Sequence, residues 1–301
     1  MSVLNKYIDT LNTYVEPRCY HLAINKLRKF FQDRGYCLVP TQNRFSILSA
    51  CEDPENVAVF EYAGKIWALP QTGQMWLEYE ILTRPDLAMG VYCETTSYRQ
   101  EPNAIEGRHS VCFPLFEFET LGDFNGLINL LHDLVIYLGY PEPVMLNYVE
   151  VAEKYGVKEL THEHEEQMYK DYGSVCFLMH FPDYTDPFWN MKRHEDDNTL
   201  AYKVDVILSG QETIGCAERS CDNNNMLNNF NNLCNGEYKE LLFDKFGKER
   251  TLAELDAFLA LPKVPRFGAG LGMTRLLNSL EKEGIMDKWL NELNDVNVSQ
   301  T

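Results

Sequence analysis

The stretch RHSVCFPLFEFE, residues 108–119, carries the pattern on which the fold turns. Successive side chains of a β-strand point to opposite faces. Val111, Phe113, Leu115, Glu117 and Glu119 therefore share one face, and Cys112, Phe116 and Phe118 the other. Two carboxylates in so apolar a run need partners, because an unpaired buried charge is costly. The preceding run, about Gly90 to Glu101, is also strand-like, and the polar loop PNAIEGRH joins the two. Arg99 and Glu101 lie two apart, on one face. An arginine there could hold a phosphate or carboxylate with its planar fork, while the glutamate orients an amine or a base edge. A cross-strand ion pair is the other reading. If the two runs pair, Arg99 is at hand for the carboxylates; Phe113, taken alone, reads as core.

Working outward, Tyr20 to Arg34 spaces Leu22, Ile24, Leu27, Phe30 and Phe31 as an amphipathic helix ended by Gly35, and a strand-like run covers 36–39. Runs 57–62 and 65–69 flank Ala63-Gly64 as a hairpin, followed by a helix over 73–82. A helix spans 124–138, closed by Gly139 and Pro141, and 151–172 reads as one charged helical piece. A strand at 174–179, a polar excursion and a second hairpin (200–208 and 212–216) follow. Helical stretches at 222–235, 236–246 and 251–260, a Gly-rich turn and a last helix from Gly272 complete the chain. Hairpins with helical insertions and no βαβ alternation predict an α+β fold with a mainly antiparallel sheet. With no linker and no internal repeat, 1–301 reads as one domain.

The second hairpin allows a geometric expectation. With Ser209-Gly210 as a two-residue turn, Asp205 faces Ile214, and Glu212 lies diagonal to Asp205 on the same face, close enough for both to hold one divalent cation. Arg219 rejoins that face only through a bulge, for which Gly215 is the expected place. Two solvated carboxylates and a surface arginine are the alternative. In FGAGLGMTRLL, Gly268, Gly270 and Gly272 let a backbone approach something closely, and Arg275 sits in the first turn of the next helix. No dinucleotide fingerprint is present.

The chain carries 27 basic and 45 acidic side chains, a formal charge of −18. A polyphosphate-binding surface is thereby disfavoured, since such affinity comes from lysines and arginines that displace counterions. No basic leader and no apolar run of about 18 residues is found, so a cytoplasmic protein away from membranes is expected. Nine scattered cysteines without a Cys-x-x-Cys pair read as reduced thiols rather than zinc ligands. The HEHEE run at 162–166 reads as solvated helix surface.

In this order the segments resemble the catalytic core of class II aminoacyl-tRNA synthetases, most closely the asparaginyl/aspartyl group. Residues 20–41 resemble the first class motif; TSYRQE with RHSVCFPLFEFE resembles the second, and GAGLGMTRLL the third. LPQTGQMWLE (69–78), FPDYTDPFWNM (181–191) and DVILSGQETIGCAER (205–219) resemble the family's substrate and metal segments. The resemblance implies ATP and Mg2+ as cofactors, with Arg99 on the α-phosphate, Glu101 at the adenine or its surroundings, Arg108, His109 or both reaching the outer phosphates, and Phe113 stacked on the base. Arg275, after Gly272, would pack on the other side and contact the γ-phosphate. Asp205 and Glu212 would carry magnesium; Thr72, Gln74 and Glu117 would hold the amino acid's ammonium and carboxylate, and Arg219 its acidic or amide end.

Departures shape the expected function. Gln42 stands where the first motif has proline, with Pro40 nearby, and Cys112 where these enzymes have glutamate. Ala217 and Glu218 replace Ser-Gln, and Leu77 replaces the lysine of aspartyl enzymes. The first motif begins near residue 20, leaving no room here for the family's N-terminal anticodon-binding barrel. Together with the acidic charge, this makes tRNA an unexpected partner. Stand-alone cores of this group are known as asparagine synthetases, and H109-S-V-x-x-x-x-x-E-F-E resembles ammonia-dependent asparagine synthetase of the same fold. The expectation is a homodimeric ligase taking aspartate, ATP and ammonia. The alternative is a paralogue that adenylates asparagine or aspartate for a non-tRNA acceptor.

Overall fold

The computed structural model describes residues 15–41, 57–99 and 111–298. Gln42, Glu101, Arg108 and His109 lie outside them.

Helix α1 (Pro17–Gln32) begins at Glu16, whose carboxylate accepts the Cys19 N–H at 2.8 Å, with proline in the first turn. Its buried stripe, Cys19, Ala23, Ile24, Leu27, Phe30 and Phe31, is the expected one, and Gly35 at φ +78° turns the chain out. Strand β1 (Tyr36–Leu38) runs parallel to β4 (Gly90–Tyr98). Strands β2 (Val59–Tyr62) and β3 (Lys65–Ala68) form the expected hairpin apart from the main sheet, and α2 (Gln74–Thr83) follows. Strand β5 (Cys112–Leu121) is antiparallel to β4, with Ser97 opposite Phe113 and Cys93 opposite Glu117. Helix α3 (Phe124–Leu138) is capped by Asp123 and closed by Gly139 at φ +99°.

The 151–172 region departs from expectation. Strand β6 (Val144–Asn147) lies just upstream, and two helices, α4 (Tyr148–Tyr155) and a separate α5 (His162–Tyr172), stand in place of one. Asn147 accepts the Val149 N–H and starts α4, and Gly156 at φ +69° ends it. Both residues are turn signals that the charged periodicity obscured. Beyond them come β7 (Val175–Pro182), β8 (Leu200–Leu208), β9 (Gln211–Glu218), α6 (Asn223–Asn232), α7 (Glu237–Phe246) and α8 (Lys248–Leu259).

The second departure matters more. The expected Gly-rich turn is strand β10 (Arg266–Gly272), in the interior of the sheet between β5 and β9. Glycine weakens strands in general, yet here alternation survives: Phe267, Ala269 and Leu271 enter the core behind the sheet. Gly268 pairs with Glu119, and a β-carbon on it would overlap Glu119 Oε2 and sit 2.5 Å from the Phe118 carbonyl. Helices α9 (Met273–Lys282) and α10 (Ile285–Val298) close the chain.

The main sheet runs β1-β4-β5-β10-β9-β8-β7-β6, antiparallel except for the outer pairs β1/β4 and β6/β7. Phe116 and Phe118 join Phe31, Tyr92, Leu134 and Leu276 behind it. This fills the back with side chains and leaves the front for Glu117 and Glu119.

Two glycines two residues apart should behave differently. Gly268→Ala forces backbone and carboxylate apart and should cost about 3 kcal/mol or more. Gly270→Ala meets Glu117 at an ordinary 3.7 Å and should fold nearly as well while raising the floor of the front groove. Urea denaturation separates the two, and equal losses would contradict the reading.

Candidate active site

One row crosses the front of five strands. Asp205 on β8 faces Gly215 on β9, Gly215 faces Gly270 on β10, Gly270 faces Glu117 on β5, and Glu117 faces Cys93 on β4. Two adjacent glycines between two carboxylates make a floor of bare backbone, three strand spacings or roughly 14 Å long. A flat ligand can lie directly on it.

At the β5 end, Glu117 is buried and accepts three strong hydrogen bonds: from the Thr72 hydroxyl, from Gly73 N–H at 2.8 Å and from the Thr95 hydroxyl at 2.6 Å. Gln74 N–H donates to Thr72 Oγ1 at 3.0 Å. Thr72, Gln74 and Glu117 thus come together as expected, at the N-terminus of α2. Burial pushes the Glu117 carboxyl up despite its donors. Its partners are hydroxyls and an amide, not Arg99.

The neighbouring Glu119 belongs to a deeper cluster. Arg219 Nη2 donates to Glu119 Oε2 at 3.2 Å, and Arg219 Nε lies 3.6 Å from Glu78 Oε1. Arg266 grips Glu78 Oε2 through Nη2 at 2.6 Å and Nε at 3.1 Å, while Asn190 and Gln74 donate to Glu78 Oε1 at 2.7 and 2.9 Å. All four charged groups are at most 3% exposed. Arg219 therefore reaches Gln74 through Glu78. Burial raises Glu78, but Arg266 and Arg219 outweigh it and the carboxyl ends below its usual range. Burial pushes Glu119 up to about 7; Arg219 opposes this only in part, and the charge of Glu78 adds to it.

The hairpin corrects one expectation and upholds another. Leu208 and Ile207 pair with Gln211 and Glu212 as predicted, but the register then slips, and Asp205 faces Gly215 rather than Ile214. The bulge falls at Thr213, two residues before the expected Gly215, and brings Gly215, Ala217 and Arg219 onto the front. Glu212 is diagonal to Asp205, and both point over Gly215: its β-carbon position lies 3.3 Å from Glu212 Oε1 and 3.9 Å from Asp205 Oδ1. Such hard oxygen donors suit Mg2+. Among the described residues no set of three or more acidic, histidine or cysteine side chains is arranged around a metal position. Lys203 Nζ donates to Asp205 Oδ2 at 2.8 Å.

Arg275 is in the first turn of α9, after Gly272, and donates to the Glu212 carbonyl at 2.6 Å. Its Nη1 is 3.9 Å from the Glu212 carboxylate. Arg99 follows β4 with its N–H on the Val111 carbonyl at 2.8 Å and its guanidinium 5.6 Å from the Phe113 ring centre. Arg99 and Phe113 thus stand together, beside the Glu117 end. Cys216 points into the core behind the sheet, and burial raises its thiol well above the usual range. Cys112, half-buried, is raised for the same reason. Cys216 is thus part of the core packing.

Sequence reasoning missed Glu78, Thr95, Asn190, Lys203 and Arg266. Glu78 closes the quoted LPQTGQMWLE and is one helical turn after Gln74, and Asn190 lies inside FPDYTDPFWNM. Those two had a signal; Arg266, beside a segment read as a turn, had none.

A family model, tRNA synthetases class II (D, K and N), matches residues 5–287. The chain belongs to that family. Comparison with curated proteins gives no match. Among solved structures it is similar to asparaginyl-tRNA synthetase from Pyrococcus horikoshii complexed with asparaginyl-adenylate, at TM-score 0.74 and 21% identity over 88% of this chain and 64% of that one. It is also similar to the Entamoeba histolytica asparaginyl-tRNA synthetase in complex with asparaginyl-adenylate (TM-score 0.71, 18% identity, 90% and 65% covered). The aspartyl tRNA synthetase of the same organism follows at TM-score 0.64 and 16% identity, with 87% and 54% covered. At these identities the likeness is one of fold, and the chain spans 64% and 65% of the two asparaginyl neighbours.

An acid whose folded-state pKa is raised stabilises the fold while protonated and loses that contribution as pH climbs through the folded value. For Glu119 the window runs from its usual 4.5 to about 7. Glu119→Gln cannot titrate, so its stability relative to wild type should rise across that window, by an amount on the order of 3 kcal/mol. Chemical denaturation at stepped pH checks this; a constant difference would refute it.

Proposed function

We propose that this chain is an AMP-forming ligase that activates aspartate through its β-carboxylate and amidates it with ammonia. The observation that carries the reading is the buried Arg219–Glu119 pair, positive and negative side by side at 3.2 Å. That pair is complementary to an amino-acid head group: Arg219 takes the α-carboxylate as a fork, and Glu119 the α-ammonium. Aspartate bound this way turns its β-carboxylate along the glycine floor towards Arg99.

The chemistry is then a displacement followed by an acyl transfer. A β-carboxylate oxygen attacks the α-phosphorus of ATP, the bond to the bridging oxygen breaks and pyrophosphate leaves. Arg99 and Arg275 neutralise the charge that develops on the phosphates, with Phe113 stacked on the adenine. Arg108, His109 and Glu101 complete the nucleotide contacts. Mg2+ held by Asp205 and Glu212 adds positive charge at the phosphates when bound. Glu117, desolvated and backed by Thr72 and Thr95, holds ammonium beside the acyl carbon and takes a proton from it. Ammonia forms the C–N bond, AMP leaves with the acyl C–O electrons, and the surplus proton on the new amide nitrogen passes to the departing AMP or to solvent.

A second reading rests on the same pair. A carboxamide also matches an arginine beside a carboxylate, its C=O on Arg219 and its NH2 on Glu119, while Thr72, Gln74 and Glu117 take an α-ammonium. Asparagine would then be adenylated for a non-tRNA acceptor.

Purified protein with ATP, Mg2+ and aspartate should release AMP and free asparagine in equal amounts only when ammonium is added. Its absence would sink the leading reading, and asparagine-dependent pyrophosphate exchange would promote the second. Arg99→Ala should cut either activity by at least about 100-fold; near-normal turnover would remove Arg99 from the phosphate.

A further inference from the structure

Lys203 is two residues before Asp205 on β8, so the two side chains share the front face. Its ammonium donates to Asp205 Oδ2 at 2.8 Å and lies 3.9 Å from the Phe181 ring centre. The pair is largely enclosed, at 18% and 9% side-chain exposure. Across the ladder Lys203 faces Ala217, whose short side chain leaves the lysine stem its path. Nothing here resembles a fluctuating surface ion pair: the stem packs on an aromatic ring and the head is aimed at a carboxylate that faces the groove.

The consequence lies in local charge. Asp205 and Glu212 carry two negative charges, which one divalent cation would neutralise. Lys203 and Arg275, the latter 3.9 Å from Glu212 Oε2, already supply two positive ones. A divalent ion taking Asp205 must displace the lysine from Oδ2 or sit beside its charge; either weakens binding.

We infer that Lys203 is a built-in competitor for the divalent cation at Asp205, and that it sets the metal affinity of this site low until a nucleotide brings its own negative charge. Triphosphate adds acceptors for the displaced ammonium, so lysine and metal both find partners once ATP is in place. The inference shares with the proposed activity only the assignment of Asp205 and Glu212 to a cation, and it is tested without turnover.

The experiment is Mn2+ binding to the full chain, followed by electron paramagnetic resonance of the free ion, with and without a non-hydrolysable ATP analogue. Without nucleotide, Lys203→Met should tighten Mn2+ binding roughly tenfold or more, the worth of one charged hydrogen bond released. Methionine keeps the stem on Phe181, and thermal unfolding verifies that the variant is folded. Lys203→Arg should remain as weak as wild type. Adding Asp205→Asn to Lys203→Met should abolish the gain. Unchanged or weaker binding by Lys203→Met, or a gain that survives Asp205→Asn, would overturn the inference. Loss of aspartate amidation with the metal result intact would instead refute only the activity.

Discussion

Four charges buried under the groove hold its walls together. Glu78 comes from α2, Glu119 from β5, Arg219 from the end of β9 and Arg266 from the start of β10, and each touches at least one of opposite sign. A buried ion pair contributes little net stability when complete, but removing one member strands the others at a cost of about 3–5 kcal/mol. The cluster thus acts as a register pin. Slide β10 by one residue against β5, and Arg266 leaves Glu78 while a side chain enters the place of Gly268. Asn190 extends the pin to the 183–199 excursion: its amide bonds Glu78, and its carbonyl accepts the Ser220 N–H at 2.7 Å.

The glycines follow from the charges. Glu119 occupies the volume where a β-carbon on Gly268 would go. Gly270 and Gly215 have more room, with their nearest neighbours at 3.7 and 3.3 Å, and their bareness serves the groove rather than the packing. One strand therefore carries a glycine required by a neighbouring carboxylate and another that keeps a floor open. Both read alike in sequence.

That explains what could be read and what could not. Alternation in 112–121 and the stripe of α1 reflect a single large core, so their periodicity carries through, and α3 lies where its caps place it. The partnership of Arg219 with Glu119, 100 residues apart, is tertiary and leaves no local pattern. β10 was invisible because glycine composition signals a turn, whereas Glu119 imposes it on a strand. The hairpin bulge was legible in its effect, the return of Arg219 to the front, but not in its place: Gly215 looks like a bulge residue, yet its bareness belongs to the floor, and the extra residue is Thr213. Glu78 lay inside a quoted segment, one turn after Gln74, but its partners Arg266 and Arg219 come from distant strands, so its role is tertiary.

A net charge of −18 disfavours polyphosphate partners over the surface as a whole. The groove shows why that figure does not govern the site. Three of its cations are tied to local acids: Arg219 to Glu119 and Glu78, Arg275 to Glu212, Lys203 to Asp205. Surface carboxylates beyond a Debye length of about 10 Å act on the groove only weakly. The field inside is set largely by the two enclosed pairs, Arg219 with Glu119 and Lys203 with Asp205, which are poorly screened, whereas Arg275 and Glu212, 3.9 Å apart and about a third exposed, are screened more. Each is near neutral as a unit but strongly polar, and a polar pair fixed in place stabilises a charge arriving at its positive end without reorganising. A net acidic chain is therefore compatible with the proposed phosphate-binding groove, because its cations there are held locally by acids rather than spread over a basic surface.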